Sequence, residues 1–119
     1  MATGKLTTHI LDTARGQPGA GIRIDLYTCD APARQHLASF VSNHDGRCDQ
    51  PLLAGEQLRA GRYELDFHVG DYFAELGLPL PEPRFLDLIT LRFGVADANA
   101  HYHVPLLLSP FGYSTYRGS

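Results

Sequence analysis

A mostly β chain, folded as a two-sheet sandwich with one short helix, is what this sequence predicts, and three observations carry the prediction. Apolar residues recur at alternate positions through most of the chain, which is the period of a half-buried strand. Gly, Pro, Asn and Asp clusters break that alternation at short intervals, so the strands are short and the connections tight. Only one brief stretch has helical spacing. At 119 residues a single domain spanning 1–119 is expected, long enough to bury a real core without disulfide or metal staples.

The elements follow in order. Lys5 to Asp12 reads as a first strand, closed by a turn at Gly16-Gln17-Pro18-Gly19. Ile22, Ile24 and Leu26 then alternate with Arg23, Asp25 and Tyr27. Leu37 to Val41 is a third strand, ended by Asn43-His44-Asp45-Gly46. Tyr63, Leu65, Phe67 and Val69 alternate with Glu64, Asp66 and His68. The helix is predicted at Asp71 to Leu76, where Tyr72, Phe73 and Leu76 share a face, and Pro79, Pro81 and Pro83 keep it short. Ile89, Leu91, Phe93 and Val95 form a further strand, as do Tyr102, Val104, Leu106 and Leu108. About seven short strands with one small helix make a sandwich the natural packing.

Composition excludes several classes. A net charge of −3 and the lack of a basic stripe interleaved with aromatics argue against nucleic acid as a partner. No apolar run approaches the ~20 residues of a membrane helix. Met1-Ala2-Thr3-Gly4-Lys5 lacks the apolar segment of a secretory signal, so cytoplasmic placement is expected. Cys29 and Cys48 are too few and too far apart for a metal knuckle, and two free thiols are expected.

The polar side of the strand pattern holds the candidate chemistry. His9 shares a strand face with Thr7, while Thr8 and Ile10 take the other face. His101 and His103 share the face opposite Tyr102, Val104 and Leu106, and side chains at i and i+2 on a strand lie roughly 7 Å apart. Arg47 follows an Asp-Gly turn, a good place to hold a guanidinium at a site edge. Each of these residues is also compatible with a plain solvated surface. His36, His44 and His68 read as surface or packing residues, and Asp45 and Asp49 as turn formers. A zinc site of His101, His103 and His68 lacks a third ligand at telling spacing, so no metal is expected. Ser109, Ser114, Thr115 and Ser119 invite a nucleophile, yet no Gly-x-Ser-x-Gly elbow or phosphate-binding glycine loop is present. The residues alone allow a His/Arg hydrolytic or binding site and name no substrate.

Beyond these patterns, the chain resembles the transthyretin superfamily. His9-Ile10-Leu11-Asp12, then Gly16-Gln17-Pro18-Gly19 and Ile22-Arg23-Ile24, are similar to the first family signature. The run from Tyr102 to Tyr113 is similar to the second, and Asn43 to Arg47, Pro51-Leu52-Leu53 and Gly61 to Phe73 also match. The superfamily contains hormone-carrying transthyretins and 5-hydroxyisourate hydrolases. The hydrolases are distinguished by a histidine at the place of His9, the arginine at Arg47, the histidine at His103 and a Tyr-Arg-Gly-Ser ending, here Tyr116 to Ser119. His44 and Cys48 depart from the expected pattern around Arg47.

The resemblance implies a transthyretin-like antiparallel sandwich of about eight strands. It also implies a homotetramer, a dimer of dimers, with active sites at the dimer–dimer interface. The implied reaction opens the lactam ring of 5-hydroxyisourate with water to give 2-oxo-4-hydroxy-4-carboxy-5-ureidoimidazoline, a step of urate degradation that needs no cofactor. The catalytic set would be His9, Arg47 and His103, with Tyr116, Ser119 and Ser114 joining His9 and Arg47 in binding substrate. The Ser119 carboxylate would steady Arg117 or a histidine. Which histidine acts as base and which as acid stays open on the sequence. A transthyretin-like module that binds a planar ligand without turning it over is the alternative reading.

Overall fold

The computed structural model describes residues 3–119. Its strands are β1 Lys5–Asp12, β2 Gln17–Pro18, β3 Arg23–Thr28, β4 Gln35–Val41, β5 Leu53–Ala54, β6 Gly61–Phe67, β7 Ile89–Val95, β8 His101–Ser109 and β9 Gly112–Thr115. A 3-10 turn at Gly55–Gln57 follows β5, and the helix α1, Val69–Glu75, follows β6. Two sheets result. The first runs β2-β1-β8-β9 with β5 also paired to β1, and the second runs β4-β3-β6-β7. The sandwich predicted from alternation is therefore present, with one short helix.

Three details differ from the sequence expectation. β1 and β8 pair in parallel, from Lys5 with His101 to Asp12 with Leu108, so the first sheet is mixed where an all-antiparallel one was expected. Parallel neighbours need a long connection, and the entire second sheet lies between these two strands in sequence. The helix starts at Val69, two residues early, because Val69 and Gly70 are themselves buried against the sandwich. β2, β5 and β9 are strands by virtue of their partners, since two residues or a fully exposed hairpin arm carry little pattern of their own.

Between the sheets, the alternating apolar residues meet. Leu6, Ile10, Leu106 and Leu108 from the first sheet face Ile24, Leu26, Leu65 and Phe67 from the second, all fully buried. Each such side chain contributes on the order of 2 kcal/mol of burial energy. The helix closes one end of this core with Tyr72 and Phe73. It is tied to the end of β1, where the Tyr72 hydroxyl donates to Asp12 Oδ2 at 2.7 Å and Arg15 Nε pairs with the same oxygen at 3.2 Å. Among the described residues no helix is long and apolar enough to cross a membrane.

Candidate active site

Alternation sends Thr7 and His9 of β1 and His101, His103 and Pro105 of β8 to the outer face of the first sheet. The parallel register sets Thr7 beside His103 and His9 beside Pro105, so the polar residues of both strands fall together. The free edge of β1 is covered in three pieces. β2 pairs with its end, β5 with its start, and the segment after Asn43 with its middle. In that middle piece Ile10 N–H donates to Gly46 O at 2.8 Å, and Arg47 pairs with His9 as an antiparallel bridge. Gly46 has φ 75°, and a Cβ there would collide with the Ile10 carbonyl, so only glycine allows this approach. Asn43 holds the turn, its Oδ1 accepting from Asp45 N–H at 2.9 Å and from Arg47 N–H at 3.2 Å. The Asp-Gly turn thus delivers Arg47 to the histidine face.

The tail is fastened on the other side. Gly118 N–H donates to His103 O at 2.8 Å, which continues the sheet beyond β9. A Cβ on Gly118 would lie 2.6 Å from His103 Cδ2, so the tail backbone packs directly against the imidazole ring. The Arg117 guanidinium sits 4.1 Å over the Tyr102 ring, a cation–π contact that pins the segment before Gly118. It also reaches the His101 carbonyl at 3.4 Å.

His9 and His103 stack with ring centroids 6.5 Å apart, and His101 lies 6.1 Å from His103. Thr7 Oγ1 bridges the β8 pair, at 2.7 Å from His101 Nε2 and 2.8 Å from His103 Nδ1. Burial, then the Arg47 charge, then His101 and His9, lower the pKa of His103. Burial and Arg47 also lower that of His9, against a hydrogen bond and charge from Asp45 that raise it. His101 is lowered by burial and by Lys5. All three imidazoles are therefore held toward the neutral, proton-accepting form at neutral pH. Among the described residues the Arg47 guanidinium has no hydrogen-bond partner, its backbone alone being engaged, so its donors are free for a ligand. No three His, Cys, Asp or Glu side chains among the described residues converge as a metal site.

A cleft of about 330 Å³ opens here, lined by Thr7, Arg47, Gln50, His101, His103 and Ser119, with Cys48 at its wall. Burial pushes the Cys48 thiol up to about 11, so it is not a thiolate nucleophile. Cys29 and Cys48 are both free. Arg47, His103 and Ser119 are thus brought together in the cleft from three chain segments, and His9 is joined to them beside it, bridged to Arg47 and stacked on His103. Ser114 and Tyr116 are not. Both are exposed, and Tyr116 lines a separate cavity with Phe93, Tyr102 and Thr115. Thr7 is the polar residue the sequence reading passed over. Its place on the His9 face was visible, but its contact with both β8 histidines depends on a register between strands about ninety residues apart.

The three remaining histidines sit in other environments. His68 pairs with Asp25 at 2.9 Å and His36 contacts Ser39 at 2.8 Å, both on the second sheet, while His44 is exposed beside Asp45. These are the packing and surface roles expected of them.

A transthyretin-type sandwich with a histidine and arginine cleft on one sheet face is the class that fold and site define. A profile of the HIUase/Transthyretin family matches residues 6–118, and the chain belongs to that family. It is 62% identical over 116 residues to a 5-hydroxyisourate hydrolase of Ralstonia nicotianae, covering 98% of this chain and 99% of that protein. Among solved structures, a 5-hydroxyisourate hydrolase of Klebsiella pneumoniae matches with a TM-score of 0.77 and 36% identity, over 97% of this chain and 99% of the other. An (S)-allantoin synthase matches with a TM-score of 0.95 and 45% identity, over 99% of this chain and 44% of that longer one.

Proposed function

We propose that this protein is a hydrolase that opens the ring of 5-hydroxyisourate in urate degradation. The relatives named above support the substrate, and one structural observation carries the chemistry. His103, held toward neutrality, and an Arg47 guanidinium unpartnered among the described residues share one cleft, and His9, also held toward neutrality, stands beside it stacked on His103. Water is a weak nucleophile near neutral pH and needs a neutral base to take its proton. In our reading His9 and His103 supply that base and the acid that returns the proton to the leaving ring nitrogen. The water oxygen bonds to the lactam carbonyl carbon, the carbon–nitrogen bond breaks, and a carboxylate and a ureido group result. Arg47 donates to the carbonyl oxygen as negative charge grows on it, and its planar fork suits a flat, urate-like ring.

Ser119 lines the cleft and is assigned a hydrogen bond to substrate. Ser114 and Tyr116 lie outside it, and we assign their substrate contacts to an assembled site. That assembly is a homotetramer, a dimer of dimers, in which clefts meet across the dimer–dimer interface. The exposure of Arg47 and Tyr116 in one chain supports a site that a second copy completes. The reaction as written needs no cofactor, and we place it in the cytoplasm.

The test is direct. 5-Hydroxyisourate made from urate by urate oxidase is mixed with the protein, and decay of its ultraviolet absorbance is followed. Acceleration over the spontaneous rate is expected, and decay at the spontaneous rate overturns the proposal.

A further inference from the structure

We infer that Thr7 is a positioning residue, whose hydroxyl holds the His103 proton on Nδ1 and links that ring to His101 as an outlet for positive charge. The inference rests on the hydrolase reading for its consequence in turnover, but its geometry is a property of the resting protein.

Thr7 Oγ1 lies 2.7 Å from His101 Nε2 and 2.8 Å from His103 Nδ1, and a hydroxyl carries a single proton with room to accept others. It donates once and can accept twice, so at most one of the two imidazoles accepts from Oγ1 and at least one donates to it. Three arrangements satisfy both contacts. In one arrangement His103 donates from Nδ1, Thr7 donates to His101 Nε2, and His103 Nε2 is left bare. In a second, both imidazoles donate to Oγ1 and His103 Nε2 is again bare, and in the third the first is reversed and His103 Nε2 carries the proton. The first two leave His103 as a base, and the first alone also links it to His101 through the Thr7 proton.

The same chain relieves the base once it is protonated. When His103 Nε2 takes a proton from water, the new positive charge lies in a half-buried ring that already faces Arg47 from the loop and His9 from β1. The Nδ1 proton then moves to Thr7 Oγ1 as the Thr7 proton moves to His101 Nε2. His103 is left neutral with a proton on Nε2, and the charge sits on His101, 6.1 Å away and exposed. Lys5 opposes the charge on His101, and solvent around that ring screens it. When the leaving nitrogen takes the Nε2 proton, both transfers run backwards and the resting tautomers return. No proton is gained or lost over the cycle.

His9 has no such outlet. Its ring meets the Asp45 backbone rather than a hydroxyl relay. The arrangement therefore distinguishes the two histidines that the residue types alone left equivalent, and gives the base's role to His103.

Thr7→Val keeps the shape of the side chain and removes the hydroxyl, and Thr7→Ser restores it. With 5-hydroxyisourate as substrate, Thr7→Val is expected to lower kcat about 10- to 100-fold with KM within about twofold, and Thr7→Ser to stay within about threefold of the parent. Imidazole ¹⁵N NMR of the resting, substrate-free protein is expected to show His103 protonated on Nδ1, with the Nε2–H form rising in Thr7→Val. Three results overturn the inference: parental kcat in Thr7→Val, Thr7→Ser as impaired as Thr7→Val, or a parent His103 already protonated on Nε2. If the parent protein fails to accelerate decay at all, the hydrolase reading falls, and the NMR comparison still decides whether Thr7 sets the tautomer.

Discussion

The outer faces of the two sheets carry similar residue types and put them to opposite use. On the second sheet Asp25 and Asp66 are buried, and their oxygens are taken up by neighbours. Ser39 donates to Asp25 at 2.6 Å, His68 and Arg23 also bond it, and Arg34 and Thr90 bond Asp66 at 2.9 and 2.7 Å. On the first sheet His9 and His103 stack with centroids 6.5 Å apart and Arg47 is bridged to His9 through its backbone, yet the guanidinium is unpartnered and His103 Nε2 has no bonded neighbour among the described residues. The first network is closed, and a closed network stabilises without reacting. The second keeps donors and acceptors unengaged among the described residues. Unsatisfied bonding capacity on a well-braced face, rather than the presence of histidine, is what marks the site.

Substitutions on the two faces should therefore separate activity from stability. His103→Ala removes the proposed base, and kcat is expected to fall about 10²- to 10⁴-fold with thermal unfolding little changed. Unchanged turnover of 5-hydroxyisourate would remove His103 from the mechanism. Asp25→Ala is the mirror case. It leaves the side chains of Ser39, His68 and Arg23 without their shared acceptor, and unfolding free energy is expected to drop by about 2 kcal/mol. Turnover per folded molecule should stay near the parental value. A variant that loses catalysis but not stability at Asp25 would erase the distinction between the faces.

The sequence made this comparison only half legible. β1, β6, β7 and β8 are read from strict alternation, because one face of each meets the core. The same alternation assigns Asp25 and Asp66 to a polar face and stops there. That Arg34, Ser39 and Thr90 bury them is decided by cross-strand partners, which periodicity does not encode. β9 escaped because all of its residues are exposed, so it has no amphipathic signature. For the site, His9, Arg47 and His103 were identifiable as residue types, and family resemblance supplied their grouping. Thr7 was not, because its role arises from the parallel register of β1 and β8. Tyr116 was expected beside them, but the tail turns at Arg117 onto Tyr102 and leaves Tyr116 over another cavity.

Acid offers the finest test, since it should affect the two faces in sequence. The pKa values of His9 and His103 are lowered below 6.5, so both rings stay neutral as pH falls past that value. The acid limb of kcat/KM is therefore expected below 6.5, set by the more easily protonated member of the pair. The unfolded chain binds protons at these histidines before the folded one does, so their contribution to stability also declines below 6.5. Asp25 responds later. Burial pushes its carboxyl up, but hydrogen bonds from Ser39, His68 and Arg23 outweigh it and hold the group at about 2, below its ordinary 3.8. Its stabilisation is present above the unfolded value and is lost as pH falls from about 4 to about 2, a change on the order of 2 kcal/mol. As pH falls from 6.5 toward about 4, activity should therefore decline while the Asp25 network stays intact, a separation that circular dichroism and a rate measured against spontaneous decay would detect together. An acid limb above 6.5 would mean that burial and Arg47 do not govern these imidazoles. Loss of fold and activity at one pH would mean that the two faces are energetically a single network.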